Sequence, residues 1–455
     1  MADCKVAIIG GGISGLAAGF FLKADHDSDY DFTIFEKQDR LGGTIGTTRE
    51  DGYIVDWGSN GFLDREPLTL EFVDRLGLRE KLNPADLKSE RRFIFRNDRL
   101  WEIRPNPKTF LKSGLLSLPG RLRIAFEYFK PGRKDDRDES IFDFAKRRIG
   151  KEAAETLIDP MVSGIYGGDA RELSLKACFP RMFEMERMYG GLIKAMLKKK
   201  KESGGKSGGP AGPGGRLTSF EGGLYTLIEG LEKVLENHLM YPIEVRAIVK
   251  SGDKFVLETS HGKPEFDAVI IAVPAYHAAR MLAGLNWTVS DMLNRIPYSS
   301  LAVVCQGFDK QAFENPPAGF GFLVPHSQKK QVLGSIWTSE IFPDQAPEGK
   351  VLLRTMLGGS VNPQVVEKPE AEIASTALEE LSKMMGINSE PEYQKVIRWK
   401  NAIPQYTLGH LERMERIEAE LKQIGSIFLA GNAYWGIGMN DCIKRSHAIV
   451  RDLTD

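Results

Sequence analysis

A short glycine-rich stretch near the N-terminus, VAIIGGGISGLAAGFFL from Val6 to Leu22, constrains the fold more than any other part of the chain. Its glycines at Gly10, Gly12 and Gly15 have the G-x-G-x-x-G spacing. The apolar residues on either side predict a strand, a tight turn and a helix. By itself this spacing indicates only that the turn can hold a phosphorylated ligand.

The residues around the turn narrow the ligand to a dinucleotide. Lys5 to Ile9 is predicted to be a buried parallel strand and Ile13 to Lys23 a helix. The next predicted strand, DFTIF, ends at Phe35, and Glu36 follows it directly, 21 residues past Gly15. In a βαβ dinucleotide-binding unit a carboxylate at this place reaches the ribose hydroxyls, while the N-terminus of the first helix faces the pyrophosphate.

The composition is that of an ordinary globular protein and excludes several functional classes. The 455 residues are 42% hydrophobic and 27% charged, which suits two or three domains of about 150 residues each. A formal net charge of -1 gives no electrostatic basis for nucleic-acid binding. The four cysteines are scattered and lack metal-ligand spacing, so neither a disulfide framework nor a metal site is expected.

Two segments bear on the location of the protein. The N-terminus enters KVAIIGGG directly, which argues against a secretory signal and favours the cytoplasm. Gln423 to Asn440 carries no charge but contains four glycines, so we expect a buried strand and a loop there rather than a membrane span.

The residues after Glu36 bear on the choice between NAD and FAD. The segment RLGG supplies Arg40, Gly42 and Gly43, and a second glycine turn follows at Gly58 to Asn60. This arrangement resembles the FAD-binding domain of the amine oxidase type, in which both segments approach the diphosphate and the flavin. An ordinary surface turn at RLGG is the alternative.

Three later segments resemble the same superfamily and are spread over the whole chain. They are SFEGGLYTLIEGL (Ser219 to Leu231), IEVRAIV (Ile243 to Val249) and IFLAGNAYWGIGMNDCIKRSHAIV (Ile427 to Val450). The resemblance implies FAD as the cofactor. In the covalent monoamine oxidases a cysteine upstream of the C-terminal glycine turn holds the flavin. Here the nearest upstream cysteine is the distant Cys305, so the resemblance implies non-covalent FAD.

The resemblance also implies which residues contact FAD. The last glycine turn, which includes Gly436, is expected to bring backbone N–H groups near the pyrimidine end of the flavin. These groups and the N-terminus of the helix that follows are expected to stabilise negative charge on the reduced flavin ring. The full set of expected cofactor contacts is Gly10, Gly11, Gly12, Ile13, Ser14, Gly15, Glu36, Lys37, Arg40, Gly42, Gly43, Thr44, Gly58, Ser59, Asn60, Gly61, Val245, Trp399, Gly431, Ile437, Gly438 and Met439.

Four further runs narrow the resemblance: DPMVSGIYGGDARELSLKACFPRMFEME, AGFGFLVPHSQKKQVLGSIWTSEIFP, MLGGS and AIPQYTLGH. Together they resemble the oxygen-dependent protoporphyrinogen oxidase family, with its coproporphyrinogen-oxidising relatives, from Val6 to about Arg451. The most specific pieces are PQYTLGH (Pro404 to His410) and NDCI (Asn440 to Ile443).

That resemblance implies an FAD-dependent oxidoreductase of haem and porphyrin biosynthesis. Its reaction removes six electrons from protoporphyrinogen IX to give protoporphyrin IX, with oxygen, or a quinone, as acceptor. Two alternatives remain open. One is oxidation of coproporphyrinogen III to coproporphyrin III, and the other is a non-catalytic scaffold that binds porphyrin or FAD.

A porphyrinogen is a large apolar ring with propionate groups, so its site needs apolar walls and at least one cation. By the resemblance, Arg92 binds a propionate, and Phe320, Leu323 and Met356 form the walls. The alternative is that these three wall residues only pack in the hydrophobic core. Asn60 is the one candidate for a catalytic role, with an orienting hydrogen bond as the alternative, and no side chain stands out as a general base.

The predicted fold class is α/β, with a discontinuous Rossmann-type FAD-binding domain, a mixed-sheet substrate domain and a helical membrane-binding domain. The expected FAD-binding domain comprises residues 1–88, 214–298 and 422–455. The helical domain is placed at 89–213 with a mobile loop at 198–216, and the substrate domain at 299–421.

Arg91 to Arg137 is the segment that bears on membrane attachment. It holds thirteen Lys or Arg and five Asp or Glu, a net charge of +8, interleaved with apolar residues. Such a segment suits an anionic membrane surface, while a solvated basic face is the alternative. We expect peripheral attachment to the inner face of the membrane. A homodimer and transfer of the product to the next haem-pathway enzyme are left open.

Overall fold

The computed structural model describes residues 4–26, 30–103, 113–202 and 215–454. A five-stranded parallel sheet is assembled from three distant parts of the chain. Its strands, in spatial order, are Leu239–Met240, Tyr30–Phe35, Cys4–Ile9, Ala268–Ile271 and Ile427–Leu429.

Both faces of this sheet are covered by helices, as expected for a parallel sheet. Because side chains alternate along a strand, Val6 and Ile8 enter one core while Ala7 and Ile9 enter the other. The first core is closed by the helices Ile13–His26, Tyr225–Leu235 and Met439–Thr454. The second is closed by Ala275–Leu282, Trp287–Asn294 and His410–Ile424.

A second, seven-stranded sheet is mixed. Its strands, in spatial order, are Tyr393–Pro404, Tyr298–Asp309, Lys350–Gly358, Val332–Trp337, Gly321–Leu323, Arg92–Arg96 and Arg99–Ile103. Among the described strands of this sheet, one pair is parallel, and it joins Gly321–Leu323 to Arg92–Arg96. One face packs against the helix Glu370–Met385 in a mostly apolar core. The opposite face is turned toward the loops of the parallel sheet.

Smaller elements connect these two layers. The small sheets are Thr47–Glu50 with Tyr53–Asp56, Phe62–Leu63 with Leu217–Phe220 and Leu82–Pro84, and Val245–Ser251 with Lys254–Thr259 and Glu265–Phe266. Further helices are Pro67–Arg75, Leu118–Ala125, Ile141–Ile149, Lys151–Ala153, Asp159–Tyr166, Leu175–Cys178, Pro180–Tyr189, Leu192–Glu202 and Thr338–Ile341. A π-helical turn, Ala154–Ile158, precedes Asp159–Tyr166. Short 3₁₀ turns complete the connections.

The predicted α/β class with a mixed sheet is therefore confirmed, but the segment 89–213 is not purely helical. Arg92–Arg96 and Arg99–Ile103 belong to the seven-stranded sheet, since their hydrogen-bond partners lie there. Residues 198–202 belong to the helix Leu192–Glu202 instead of the predicted loop 198–216, whose residues 203–214 lie outside the described residues. Within the described ranges, none of the helices combines the length and apolarity needed to cross a membrane.

The helical part of the chain is organised around a buried ion pair. Arg148 and Glu127 are both fully buried, and Arg148 Nε donates to Glu127 Oε1 at 2.8 Å. The same carboxylate accepts the backbone N–H groups of Leu192 at 2.9 Å and Ile193 at 3.0 Å. Arg148 also donates to Glu186 Oε1 at 3.2 Å. This network fixes the start of the helix Leu192–Glu202 against the rest of the helical segment.

We predict that Arg148→Met lowers the free energy of unfolding by about 3–5 kcal/mol, because it leaves the Glu127 carboxylate buried without its counter-ion. Urea denaturation followed by circular dichroism measures the change. Lys151→Met is the matched control, because it removes an exposed pair with Glu155 at 3.7 Å that contributes at most about 0.5 kcal/mol. Equal urea midpoints for the two variants would contradict the prediction.

Candidate active site

The glycine turn after the first strand lies at the carboxyl edge of the parallel sheet. A Cβ atom at Gly15 would lie 1.9 Å from the carbonyl oxygen of Gly10, so only glycine lets the helix begin this close to the strand. A Cβ at Gly12, in contrast, would meet no atom within 4 Å. The turn is therefore closed toward the protein and open on the side of Gly12, as a cradle for a pyrophosphate requires.

The RLGG segment forms the opposite wall of this cradle. The Gly42 N–H donates to the carbonyl oxygen of Gly11 at 2.8 Å, and a Cβ at Gly43 would lie 3.4 Å from Gly12 Cα. Arg40 donates to carbonyl oxygens of its own loop, including that of Gly43 at 2.7 Å, and faces the Trp57 ring at 4.6 Å. RLGG is therefore part of the cradle, and Arg40 acts there by fixing the loop.

Glu36 lies where the βαβ pattern places it, at the carboxyl end of the strand Tyr30–Phe35. Its Oε2 accepts the Gly11 N–H and its Oε1 the Gln38 N–H, each at 2.8 Å, so the carboxylate has a fixed orientation beside the cradle. Lys37 is exposed, and its Nζ lies 3.1 Å from His277 Nε2. Burial, with Lys37 and Arg280 nearby, lowers the pKa of His277 to about 4. Val245 is buried next to this corner, in the core that includes Phe35.

The loop from Trp57 to Gly61 is held by the second sheet. Arg354 donates to the carbonyl oxygens of Trp57 and Gly58, and Trp399 Nε1 donates to that of Trp57 at 3.2 Å. A Cβ at Gly58 would lie 2.5 Å from the Thr44 carbonyl oxygen, so the loop packs on the residue that directly follows RLGG.

Asn60 in this loop carries an unsatisfied polar atom. Its Oδ1 is buried and has no hydrogen-bond partner among the described residues. A buried oxygen in this state is costly unless a ligand supplies a donor. The atom is therefore suited to an N–H or O–H group of a bound cofactor or substrate.

The last glycine turn leads into the helix Met439–Thr454, whose Ser446 hydroxyl donates to the Ser14 carbonyl oxygen at 2.8 Å. That contact places the last helix beside the first one. Two of the expected flavin-facing N–H groups have protein acceptors: Gly436 N–H donates to the Tyr406 hydroxyl at 2.8 Å and Gly438 N–H to Asp441 Oδ2 at 3.2 Å.

The turn keeps unsatisfied donors nevertheless. The N–H groups of Ile437 and Met439 have no hydrogen-bond partner among the described residues. Gly431, with φ of +126°, has the conformation that the turn requires of a glycine. The donors available to an electronegative ligand thus include those of Ile437 and Met439.

The expected substrate-binding residues lie together in the second sheet. Leu323 and Met356 are both paired with Gly334, on either side of it. A Cβ at Gly334 would lie 3.0 Å from Leu323 Cδ2, so the Leu323 side chain packs over this glycine. Leu323 is half-buried and contacts the helix Asp159–Tyr166 at Gly164, whereas Met356 is buried in a small cluster with Leu301 and Leu333.

Two strands separate Arg92 from Met356, and Arg92 is paired with Gly321. Its guanidinium faces the half-buried Phe320 ring at 4.9 Å. No hydrogen bond or ion pair joins it to any described residue, and desolvation by the surrounding protein lowers its pKa. The side chain is solvent-accessible, so the cation is free to accept a carboxylate.

Sequence reasoning missed Arg354 and gave no role to Tyr406. Arg354 is buried, and burial lowers its pKa. Its signal is a single charged residue inside the apolar run VLLRTMLGG, which begins at Val351. Tyr406 lies within PQYTLGH, but nothing local in that motif indicates that its hydroxyl contacts Gly436, 30 residues away. Across the ranges that the structure covers, no group of three or more His, Cys, Asp or Glu has metal-binding geometry.

The residues fit FAD. The open cradle at Gly12, the fixed carboxylate of Glu36, the unsatisfied Asn60 Oδ1 and the free N–H groups of Ile437 and Met439 provide matching groups for the pyrophosphate, the ribose and the flavin ring. When bound, FAD supplies a two-electron acceptor at flavin N5.

Comparison with known proteins agrees with this assignment. Residues 13–453 match the family described as flavin containing amine oxidoreductase. Coproporphyrinogen III oxidase of Bacillus subtilis (strain 168) is 34% identical over 472 residues, covering 99% of this chain and 98% of the relative. The chloroplastic protoporphyrinogen oxidase of Oryza sativa subsp. japonica is 32% identical, covering 100% and 88%.

Solved structures show the same fold. A crystal structure from Exiguobacterium sp. 255-15, of a protein with a provisional protoporphyrinogen oxidase name, has a TM-score of 0.87 at 27% identity and covers 100% of this chain and 99% of its own. Cyclohexylamine oxidase from Brevibacterium oxydans IH-35A has a TM-score of 0.70 at 18% identity, covering 100% of both chains, which indicates a shared fold. The chain belongs to the flavin-containing amine oxidoreductase family and is an FAD-dependent oxidoreductase.

Proposed function

We propose that this protein oxidises a porphyrinogen to the corresponding porphyrin, with six electrons removed and oxygen as the acceptor. Protoporphyrinogen IX is the first candidate substrate and coproporphyrinogen III the second. The relatives support both, since those named for each substrate are 30% or more identical over nearly the whole chain. The oxidation of successive bonds around a ring suits a flavin, because the cofactor and not an acidic or basic side chain accepts the electrons.

The observation that carries this proposal is the unpaired guanidinium of Arg92. The guanidinium faces the Phe320 ring and meets no acceptor among the described residues. A propionate can bind it through two parallel N–H···O contacts. The Phe320 ring packs against the guanidinium, so the orientation of the guanidinium does not depend on the ligand.

The apolar residues have a complementary role. Leu323 and Met356 are on the same face of the second sheet as Arg92 and Trp399, so a tetrapyrrole held at one edge by Arg92 can lie along that face. The Leu323 and Met356 side chains exclude water from the tetrapyrrole ring, and the contact between Arg92 and the propionate sets the orientation of the ring. Asn60 offers a hydrogen-bond acceptor to the bound cofactor or substrate.

The two porphyrinogens provide the first test of the proposal. On anaerobic mixing with the FAD-loaded enzyme, a porphyrinogen substrate is expected to bleach the flavin absorbance near ~450 nm, because electrons leave the ring for the cofactor. Comparison of kcat/KM for the two compounds then identifies the preferred substrate. An absorbance that neither compound changes would favour the non-catalytic scaffold and refute the oxidase.

Arg92→Ala is expected to raise KM for the porphyrinogen about 10- to 100-fold while FAD remains bound, because a charge-assisted contact to the propionate is lost. Steady-state kinetics and the flavin content of the purified variant give the two measurements. Arg91→Ala is the matched control, since Arg91 is exposed and paired with Glu102 at 3.3 Å. Loss of FAD, or an unchanged KM, would show that Arg92 is not the propionate ligand.

We infer peripheral membrane attachment as a second property, from four exposed apolar side chains. Leu118, Leu122, Phe126 and Phe129 follow one another at intervals of three or four residues, and their exposed fractions are 62%, 51%, 59% and 75%. That spacing puts them on one face of the helix Leu118–Ala125 and the turn after it. An apolar face of this size on a short helix suits insertion into the lipid headgroup region.

The basic residues of this segment contribute less than their number indicates. Arg123 and Lys130 donate to backbone carbonyl oxygens of Arg147 and Arg148, and Arg133 pairs with Asp135 at 2.7 Å. These cations are held by the protein, so the apolar side chains carry the proposed membrane contact more than charge does.

Leu122→Glu combined with Phe129→Glu is therefore expected to abolish flotation with phosphatidylcholine vesicles, with or without phosphatidylglycerol, because two charges would enter the apolar contact. Liposome flotation measures the bound fraction. Trp287→Glu is the control, since Trp287 is 70% exposed on a helix of the parallel-sheet layer. If the double variant and the control float equally well, the exposed apolar face is not the membrane contact.

A further inference from the structure

We propose that Tyr406 and His410 are positioning residues that set the backbone of the last glycine turn for FAD. The inference concerns how the cofactor is held, so it rests on FAD binding by this family and not on the porphyrinogen as substrate. Both residues belong to the motif PQYTLGH. None of the proposed substrate contacts involves a residue of this motif.

The Tyr406 hydroxyl bridges two points of the turn. It accepts the Gly436 N–H at 2.8 Å and donates to the Asn432 carbonyl oxygen at 2.6 Å. The side chain is 1% exposed, so no water competes for these bonds. A single oxygen thus joins both sides of the turn, whose glycines at Gly431 and Gly436 have positive φ angles of 126° and 134°.

His410 fixes the tyrosine ring. The two rings stack with centroids 4.1 Å apart and an interplanar angle of 14°. His410 Nε2 is 2.9 Å from the Tyr434 carbonyl oxygen, and since a carbonyl only accepts, this nitrogen carries the proton. His410 Nδ1 is buried and has no partner among the described residues, and burial lowers the pKa of His410 to about 4. His410 is therefore neutral and bonded to the same turn as Tyr406.

The pair determines which N–H groups of the turn face outward. Because Tyr406 takes the N–H of Gly436, the peptide before Gly436 is directed into the protein. The next unsatisfied donors are Ile437 N–H and Met439 N–H, beside the N-terminus of the helix Met439–Thr454. Donors of this kind stabilise an electronegative or anionic group. Without the bridge, a glycine turn has several accessible conformations, and the outward donors lose their fixed direction.

Tyr406→Phe tests this role because it keeps the ring and removes only the bridging oxygen. We expect the dissociation constant for FAD, measured by titrating apoprotein and following flavin fluorescence, to rise about tenfold. We also expect the absorbance bands of the bound flavin and its midpoint potential to shift, since the donors at its edge move.

Tyr298→Phe is the matched control. The Tyr298 hydroxyl also accepts a backbone N–H, that of Ala275 at 2.9 Å, but it fixes the start of a different helix. Loss of the Tyr298 hydroxyl is expected to lower the stability of the protein about as much as Tyr406→Phe does. It is expected to leave the dissociation constant for FAD within about twofold of the parent value.

A second variant keeps the test decisive if Tyr406→Phe does not fold. His410→Phe retains an aromatic ring against Tyr406 and loses the bond to Tyr434, so FAD affinity is expected to fall by a smaller factor, with a shift of the flavin spectrum in the same direction. The proposal would be overturned if both variants lower thermal stability but leave the FAD affinity, the flavin spectrum and the flavin potential at the parent values. Tyr406 and His410 would then be core residues with no role in holding FAD. Because every readout is on FAD, failure of the porphyrinogen assay has no bearing on it.

Discussion

The close approach of the first helix to the first strand is the constraint on which the rest of the site depends. Only the absence of a side chain at Gly15 lets the helix Ile13–His26 begin against the Gly10 carbonyl. The helix then fills one face of the parallel sheet with Leu16 and Phe20, while its N-terminus stays open toward the cradle. The RLGG segment and the last helix are both positioned against this first unit, through Gly11 and Ser14.

The short loop at Trp57 links the second sheet to this cofactor unit. The Trp57 carbonyl oxygen accepts from both Arg354 and Trp399, which lie on different strands of the seven-stranded sheet. Burying a guanidinium is unfavourable unless it is hydrogen-bonded. Here backbone carbonyl oxygens bind Arg354 Nη2, while Arg354 Nε has no partner among the described residues. The expected substrate-binding residues lie on the same sheet as Arg354 and Trp399, which hold this loop. Movement of Arg354 would therefore shift the loop that carries Asn60 relative to the expected substrate face.

The sequence allowed much of the cofactor unit to be predicted because its signals are local. A strand, a glycine turn, a helix and an acidic residue occur within about thirty residues, and each is determined by nearby side-chain pattern and backbone conformation. The buried strand after Gln423, found at Ile427–Leu429, was predictable for the same reason. The second sheet was harder to predict, since the strand Arg92–Arg96 pairs with one more than 200 residues later, and no local pattern records that pairing.

The sequence by itself determined the class of fold, the presence of a dinucleotide site and, through resemblance, FAD and the family. Tertiary structure alone decided how individual donors and acceptors are used. It showed that Arg40 binds its own loop, that Gly436 N–H belongs to Tyr406, and that Arg92 is left without an acceptor. The physical reason is range. Periodicity and turn chemistry depend on neighbours along the chain, whereas the satisfaction of a buried polar group depends on whichever distant residue folding brings within hydrogen-bond distance.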